Sequence, residues 1–196
     1  MYKLYLIRHG MTAGNEEKRY IGRTDESLSE KGRSQILSLK ESSQISEPSV
    51  IGISPMKRCR ESAELLFPGK KYISVPDFRE YDFGKFEGKT YKELLGEPTY
   101  QKWLDGGGRD PFPEGEGMAV FKKRTIRAFL DFMTQCTKDF PDGAVCALVV
   151  HGGTIMSLME HFAGRDGSYY DYQIPNGSFV EAFWDESSCR ISMSTL

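Results

Sequence analysis

The stretch MYKLYLIRHGMTAGN (residues 1–15) places two polar residues and a glycine directly after a short apolar run. Residues 2–7 predict a buried strand, and Arg8, His9 and Gly10 then stand at its carboxyl end. In open α/β sheets, ligands bind beyond the carboxyl ends of the strands. We therefore expect a binding site at this end of the first strand.

Outward from this stretch, the chain alternates short apolar runs with segments of helical periodicity. The alternation predicts the α/β class, as a three-layer α/β/α sandwich with a mostly parallel central sheet. The nearly continuous apolar run GAVCALVV is typical of a central strand. Strands are predicted over residues 2–7, 49–54, 71–75 and 143–150, helices over residues 29–40, 57–66, 116–141 and 153–162, and a closing hairpin over residues 179–186 and 189–194.

Length and composition are those of one globular domain, with 196 residues, 39% hydrophobic and 28% charged. We expect a single domain over residues 1–196, with a loop-rich insertion at about residues 84–115, where glycine and proline recur. A net charge of −2 gives no basis for nucleic-acid binding. No apolar run approaches the roughly 18 residues of a membrane span. A cytoplasmic protein, monomeric or homodimeric, is therefore expected.

Two of the three histidines follow predicted strands and precede glycines. His9 ends the run YLIRHG, and His151 stands in the run ALVVHGG. This placement favours chemistry over a structural role, because histidine gains and loses a proton near neutral pH. His161 lies on a polar-flanked helix and is expected at the surface. The four cysteines are scattered, with no C-x-x-C pair, and are expected to be reduced and mostly buried.

The second predicted strand is followed by SPMKRC (residues 54–59), where a helix begins with cations in its first turn. A helix N-terminus is already partly positive, so Arg58 there indicates a bound anion such as phosphate. A solvated face or a salt bridge explains the neighbouring Lys57 and Arg60 equally well. Together with the two histidines and Arg8, this pattern predicts a local cationic pocket for a phosphoryl group.

A phosphoryl pocket also needs an acid that protonates the departing oxygen. The segment FREYDFGKFEG (residues 78–88) offers three candidates, Glu80, Asp82 and Glu87. Their spacing alone leaves the choice among the three open.

These motifs resemble the histidine phosphatase superfamily, also called the phosphoglycerate mutase-like family. Its defining R-H-G tripeptide follows the first strand, and the other blocks follow in family order through nearly the whole chain. The matching stretches are LIRHGMTAGN (6–15), GRTDESLSEKG (22–32), SPMKRCRES (54–62), FREYDFGKFEG (78–88) and VVHGGTI (149–155). The resemblance implies the phosphoglycerate mutase-like fold.

The resemblance also implies a role for each matching residue. His9 is the implied nucleophile and becomes phosphorylated, and Glu80 falls at the proton-donor position. The phosphoryl oxygens are bound by Arg8, Arg58 and His151, and the implied substrate-binding residues are Asn15, Ile21, Gly22 and Gly152. The expected ligand is a small-molecule phosphate ester, and the implied scheme needs no metal and no cofactor.

Departures from the family pattern bear on the reaction. Met11 stands where Glu or Gln usually follows R-H-G. Ile21 precedes Gly22 where phosphoglycerate mutases usually carry a small hydroxyl residue, and the chain is shorter than theirs. Both of these last features favour a phosphatase over a phosphoglycerate mutase, which stays an alternative. A non-catalytic phospholigand-binding module is disfavoured, because every catalytic position is filled.

The natural substrate is not fixed by the motifs. PEGEGMAVF (residues 113–121) is similar to a stretch in α-ribazole-5′-phosphate phosphatases of cobalamin assembly, and related stretches occur in broad-specificity sugar-phosphate phosphatases. Specificity is expected in residues 84–115 and 20–23. Aromatic residues near the site either pack or stack on a substrate base, and they are Tyr81, Phe83, Phe86, Tyr91 and Trp103.

Overall fold

The computed structural model describes residues 1–42, 45–108, 110–164 and 167–193. Within these ranges, six strands form one sheet: β1 (Tyr2–Arg8), β2 (Val50–Ile53), β3 (Ile73–Ser74), β4 (Val145–Val150), β5 (Phe179–Asp185) and β6 (Arg190–Met193). Their order is β3-β2-β4-β1-β5-β6. The first four strands in this order run parallel, and β5 and β6 form an antiparallel hairpin at one edge.

Seven α-helices in the described residues connect these strands: α1 (Ala13–Glu16), α2 (Glu30–Glu41), α3 (Lys57–Leu66), α4 (Tyr91–Leu94), α5 (Pro98–Asp105), α6 (Met118–Asp139) and α7 (Gly152–Phe162). Helices α2 and α3 pack together on one face of the sheet, and α6 and α7 pack together on the other. The α/β class and the mostly parallel three-layer arrangement are therefore confirmed. None of the described helices is long and apolar enough to cross a membrane.

The two central strands, β1 and β4, are buried on both faces. Leu4 and Leu6 of β1 pack into the core under α6 and α7, whereas Tyr5 and Ile7 pack under α2 and α3. This alternation follows from the two-residue period of a strand. The prediction that residues 143–150 form a central strand is confirmed, because β4 lies between β1 and β2.

The register of β1 on β4 determines where the site lies. Ile7 pairs with Val149 and Arg8 with Val150, and the His9 N–H donates to the Val150 carbonyl at 3.1 Å. The residues that follow both strands therefore emerge at the same edge of the sheet. This edge is the one that the sequence pattern predicts as a binding site.

Residues 84–115 carry α4 and α5 and build a third, smaller apolar cluster, apart from Arg109, which lies outside the described residues. Its buried members are Phe86, Leu94 and Tyr100. Tyr20 packs against them from the segment after β1. Rings from both segments thus cluster beside the sheet edge.

The observed element boundaries differ from the predicted ones mainly in β3 and β6, the two outermost strands of the sheet. The strand predicted over residues 71–75 shortens to Ile73–Ser74, since it pairs only with Gly52 and Ile53 of β2. The predicted final strand ends at Met193, and Ser194 lies outside the described residues.

Candidate active site

His9 is almost fully buried at the end of β1, with 4% of its surface exposed. Its Nδ1 lies 2.7 Å from the Gly10 carbonyl oxygen, which can only accept a hydrogen bond. The proton therefore sits on Nδ1, and Nε2 keeps its lone pair. Burial, followed by the charges of Arg58 and Arg8, holds the pKa of His9 well below its ordinary value. His9 is thus a neutral imidazole with a free nucleophilic nitrogen.

His151 directly follows β4, at the start of α7, and is fully buried beside His9. The two rings meet edge to face, with their centroids 5.1 Å apart. Nε2 of His151 lies 2.7 Å from the Ser54 hydroxyl, and the Cys59 sulfur lies 3.6 Å from the same nitrogen. Burial and the nearby charge of Arg58 hold the pKa of His151 well below its ordinary value. Two neutral imidazoles therefore lie in contact at the sheet edge.

Arg58 lies in the first turn of α3 and is also fully buried. Its guanidinium donates to the Thr24 carbonyl at 2.8 Å and to the Gly22 carbonyl at 2.7 Å, and its Nε has no hydrogen-bond partner in the part of the chain that the structure describes. Neutral carbonyl groups orient this cation without cancelling its charge. A buried charge of this kind favours an anionic ligand.

Arg8 reaches the site from the end of β1. One of its terminal nitrogens donates to the Ile174 carbonyl at 2.6 Å, and no described residue forms a hydrogen bond with its buried Nε. A Cβ on Gly152 would lie 3.1 Å from the Arg8 Cζ, so the glycine lets the guanidinium lie against the start of α7. Burial lowers the pKa of Arg8, and the Glu80 carboxylate partly offsets this effect.

Among the three candidate acids, Glu80 is the one that lines the cavity beside Arg8. Its carboxylate accepts from the Tyr81 N–H at 3.0 Å and from the Gly153 N–H at 3.2 Å, at the start of α7. Glu87 instead binds the N–H groups of Gly22 and Arg23. Asp82 accepts from the Gly84 N–H and forms an ion pair with Arg23. Glu87 and Asp82 thus organise loops.

The remaining predicted binding residues differ in their surroundings. Asn15 lines the cavity, and its side-chain oxygen accepts from the Thr12 N–H in the cap of α1. Ile21 is buried and also lines the cavity. Gly22 does not: its N–H donates to Glu87 and its carbonyl accepts from Arg58, so its described contacts orient Arg58.

A cavity of about 410 Å³ opens beside these groups. Arg8, Asn15, Glu80 and Gly152 line one side of it, while His9, Arg58 and His151 are buried next to this lining. The rest of its wall is strongly aromatic, and its rings are Tyr20, Tyr81, Phe83, Trp103, Phe112, Tyr169 and Tyr170. Of the aromatic residues singled out in the sequence, Phe86 is a core residue, and Tyr91 lies outside this cavity.

Sequence patterns miss several residues that support the site. The Asn176 side chain donates to the His9 carbonyl at 3.1 Å, but Pro175-Asn176-Gly177 carries only the signal of a turn. The Ser62 hydroxyl accepts from the Gly10 N–H at 3.1 Å. Met11 contributes backbone groups, since its N–H donates to the Gln35 side chain and its carbonyl accepts from the Ser29 N–H.

The positive charge of the site comes from its two arginines. In the part of the chain that the structure describes, no group of three or more His, Cys, Asp or Glu side chains is arranged to hold a metal ion. Two guanidinium groups, a neutral histidine pair and one carboxyl group therefore form the chemical equipment at this edge of the sheet.

This set of side chains and this fold are those of a family of phosphoryl-transfer enzymes. The chain belongs to the histidine phosphatase superfamily (branch 1), whose family model matches residues 4–195. The protein is thus an enzyme of the phosphatase and mutase kind, acting on small phosphate esters. The resemblance inferred from the motifs is confirmed.

Relatives in this family carry different names. A protein of Photorhabdus laumondii, named provisionally as the phosphoglycerate mutase GpmB, is 32% identical over 180 residues, covering 84% of this chain and 80% of the relative. A protein of Hydrogenobacter thermophilus, named provisionally as phosphoserine phosphatase 2, is 28% identical over 163 residues. The match covers 81% of this chain and 77% of the relative.

Solved structures share the fold over nearly the whole chain. The α-ribazole phosphatase of Shigella flexneri superposes with a TM-score of 0.86 at 21% identity, covering 99% of this chain and 95% of that one. The Thermus thermophilus protein TTHB049 superposes with a TM-score of 0.69 at 30% identity, covering 96% of both chains.

Proposed function

We propose that the protein is a phosphomonoesterase that hydrolyses a small phosphorylated metabolite through a phosphohistidine at His9. One observation carries this proposal. The Nδ1 hydrogen bond of His9 to Gly10 leaves Nε2 as a neutral nucleophile, beside two guanidinium groups and a carboxyl group. A nucleophile that is neutral at physiological pH is able to attack phosphorus directly.

The proposed reaction has two displacements. Nε2 of His9 attacks phosphorus in line, the ester P–O bond breaks, and the departing oxygen takes a proton from Glu80. Arg8, Arg58 and His151 bind the phosphoryl oxygens, and Asn15 adds a further contact. In the second displacement, Glu80 takes a proton from water. The water oxygen attacks phosphorus, and the N–P bond breaks to free His9 and phosphate.

Hydrolysis is favoured over phosphoglycerate mutation by the apolar wall at Ile21, where the mutases usually carry a hydroxyl residue. The relative named for phosphoglycerate mutase keeps the second reaction as the alternative. Assays of 3-phosphoglycerate and of simple phosphate esters separate the two. We expect release of inorganic phosphate from the esters, whereas fast interconversion of phosphoglycerates with little released phosphate would overturn the proposed hydrolysis.

For the substrate, the aromatic cavity wall supports an ester whose alcohol carries an aromatic ring, and α-ribazole 5′-phosphate is our first candidate. Trp103 and Phe112 come from residues 84–115, which we propose as the substrate-covering part of a single domain spanning residues 1–196. Kinetics on a panel of phosphate esters tests this choice. A preference for aliphatic sugar phosphates would instead identify a broad-specificity sugar-phosphate phosphatase.

The phosphoenzyme provides the direct test of the mechanism. His9→Ala is expected to abolish both hydrolysis of p-nitrophenyl phosphate and formation of an acid-labile phosphoprotein, because the proposed attacking atom, Nε2 of His9, is lost with the side chain. His161→Ala removes an exposed histidine at the end of α7 and serves as the matched control. Substantial turnover by His9→Ala would reject His9 as the nucleophile, and a wild-type protein that hydrolyses no ester would favour a binding module.

A further inference from the structure

Arg124, on α6, uses every N–H of its guanidinium in a hydrogen bond. Nε and one terminal nitrogen donate to the two oxygens of the Glu116 carboxylate, at 2.7 and 2.8 Å. The remaining three N–H groups donate to the carbonyls of Asp77, Arg79 and Glu80, at 2.8, 2.8 and 3.0 Å. A single side chain therefore ties the backbone that leads into Glu80 to α6.

The Glu80 segment has few other backbone constraints. Residues 79–83 belong to no helix or strand, and the hydrogen bonds that the Glu80 carboxylate accepts within the described residues come from the Tyr81 and Gly153 N–H groups. Glu116 ties the next part of the same loop, since its own N–H donates to the Asp82 carbonyl at 2.9 Å. The position of the Glu80 carboxyl group thus depends on contacts from residues 116 and 124.

The Arg124–Glu116 pair has the burial and geometry of a strong ion pair. Its side chains are only 10% and 11% exposed, and the contact is bidentate, which fixes orientation as well as distance. The Arg124 guanidinium also lies 4.7 Å from the centre of the Phe121 ring, which stacks on Tyr81. These contacts leave the guanidinium little freedom to move away from Glu80.

We propose that Arg124 and Glu116 are positioning residues for the proton donor Glu80. They line neither the cavity nor the phosphoryl pocket, and they act by fixing the backbone at residues 77–80. This inference rests on the proposed function, in which Glu80 protonates the leaving oxygen. It assigns a role to Glu116, within the PEGEGMAVF stretch (residues 113–121), and to Arg124, the first arginine after that stretch.

The dependence on the leaving group distinguishes positioning from simple stability. A misplaced acid slows esters with poor leaving groups, whereas activated aryl esters depart without full protonation. We expect Arg124→Ala to lower kcat/KM for glycerol 2-phosphate by about 10- to 100-fold, part of the 10²- to 10⁴-fold contribution typical of general acids. For p-nitrophenyl phosphate, which still needs His9 and both arginines, we expect a loss of about 3-fold or less.

The matched control is Arg127→Ala on the same helix. Arg127 is strongly exposed and pairs with Asp131 across one helical turn, away from the Glu80 loop. Its removal is expected to change neither rate. Equal losses on both esters in Arg124→Ala would show a structural role only and would overturn the proposal.

A double-variant cycle tests whether Arg124 acts through Glu80. In a Glu80→Gln background the acid is already absent, so adding Arg124→Ala is expected to cost about 2-fold or less on glycerol 2-phosphate. Multiplied losses would overturn the proposal. If Arg124→Ala does not fold, Glu116→Gln and Arg124→Lys replace it, with the same ester selectivity expected and the smaller loss in Arg124→Lys.

Glu80→Gln and Arg124→Ala distinguish a failure of the proposed mechanism from a failure of the positioning role. If Glu80→Gln alone slows both esters equally, Glu80 is not the acid and the proposed mechanism fails. If Glu80→Gln is selective for the poor leaving group and Arg124→Ala is not, only the positioning role fails.

Discussion

At the scale of single residues, Arg58 shows how the site keeps its charge available. Its buried guanidinium donates to two carbonyl oxygens, and its Nε has no partner among the described residues. Desolvation of a cation is unfavourable unless an opposite charge compensates it. In the reaction that we propose, the phosphoryl group of the substrate supplies this compensating charge.

Arg58→Lys is expected to lower kcat/KM by about 100-fold or more, in the range seen when one transition-state donor is lost. A lysine keeps the charge, but it lacks the planar fork that reaches both carbonyls and the anion. Arg60→Lys, at an exposed position of the same helix, is the control. Steady-state kinetics with p-nitrophenyl phosphate measures both, and equal activities would contradict this role.

The sequence motifs locate the two histidines of the site, but the spacing of the carboxylates does not identify the acid. The R-H-G and H-G-G patterns located both histidines because each follows an apolar strand. The spacing of Glu80, Asp82 and Glu87 leaves the proton donor open, and only the family resemblance implies Glu80. The contacts that distinguish these carboxylates in the structure come from other segments, since Glu80 accepts from the Gly153 N–H and Glu87 from the Gly22 N–H. No local sequence signal identifies Asn176 either, because the His9 carbonyl to which its side chain donates is distant in sequence.

At the scale of elements, the aromatic cluster of residues 84–115 forms one wall of the cavity. Phe86 is buried at its centre and meets Tyr100, Trp103 and Phe112 edge to face. Trp103 and Phe112 also line the cavity. The cluster therefore couples the packing of this segment to the shape of the substrate wall.

Phe86→Ala is expected to lower the free energy of unfolding by about 3–5 kcal/mol, because it empties the centre of this cluster. It is also expected to raise KM for aromatic esters more than it changes kcat, since His9 and Glu80 do not contact it. Tyr91→Ala, at a 48% exposed position of the same segment, is the control. Thermal unfolding and ester kinetics check both effects, and an unchanged KM would contradict the coupling.

The layered fold was predictable because apolar runs and helical periodicity are local signals. The outer elements were less predictable. Strand β3 has only two residues, because its one neighbour in the sheet is the short strand β2. The aromatic cluster was also unpredicted as a unit, because Tyr20 joins it from a segment distant in sequence. Contacts of this kind depend on topology, which composition does not encode.

At the scale of the whole molecule, two buried histidines link stability to pH. Both pKa values lie well below the ordinary value of 6.5 in the folded protein, mainly through burial. The unfolded chain therefore binds more protons than the folded chain below about pH 6.5. The stability that the two neutral histidines contribute to the folded state is fully present above this pH. It is lost as the pH falls towards their folded-state pKa values.

We expect the free energy of unfolding to fall below about pH 6.5, with each histidine contributing up to about 1.4 kcal/mol per pH unit. His9→Asn removes one of the two titrating groups. It is therefore expected to lower the slope of the unfolding free energy against pH by up to about 1.4 kcal/mol per pH unit. His161→Asn, at an exposed position, serves as the control. Urea unfolding at pH 5.5, 6.5 and 7.5 in phosphate-free buffer measures the slope. An unchanged slope in His9→Asn would contradict a neutral buried His9.

The parallel pairing of β1 with β4 also has a consequence for refolding. The two histidines come from opposite ends of the chain and meet only after this pairing closes a very long loop, an entropically costly and slow step. The Arg8 and His9 carbonyls further accept from Gly177, close to the last strands. A fragment that ends before β4 lacks His151, so recovery of enzymatic activity in a refolding experiment is expected to report the pairing of β1 with β4.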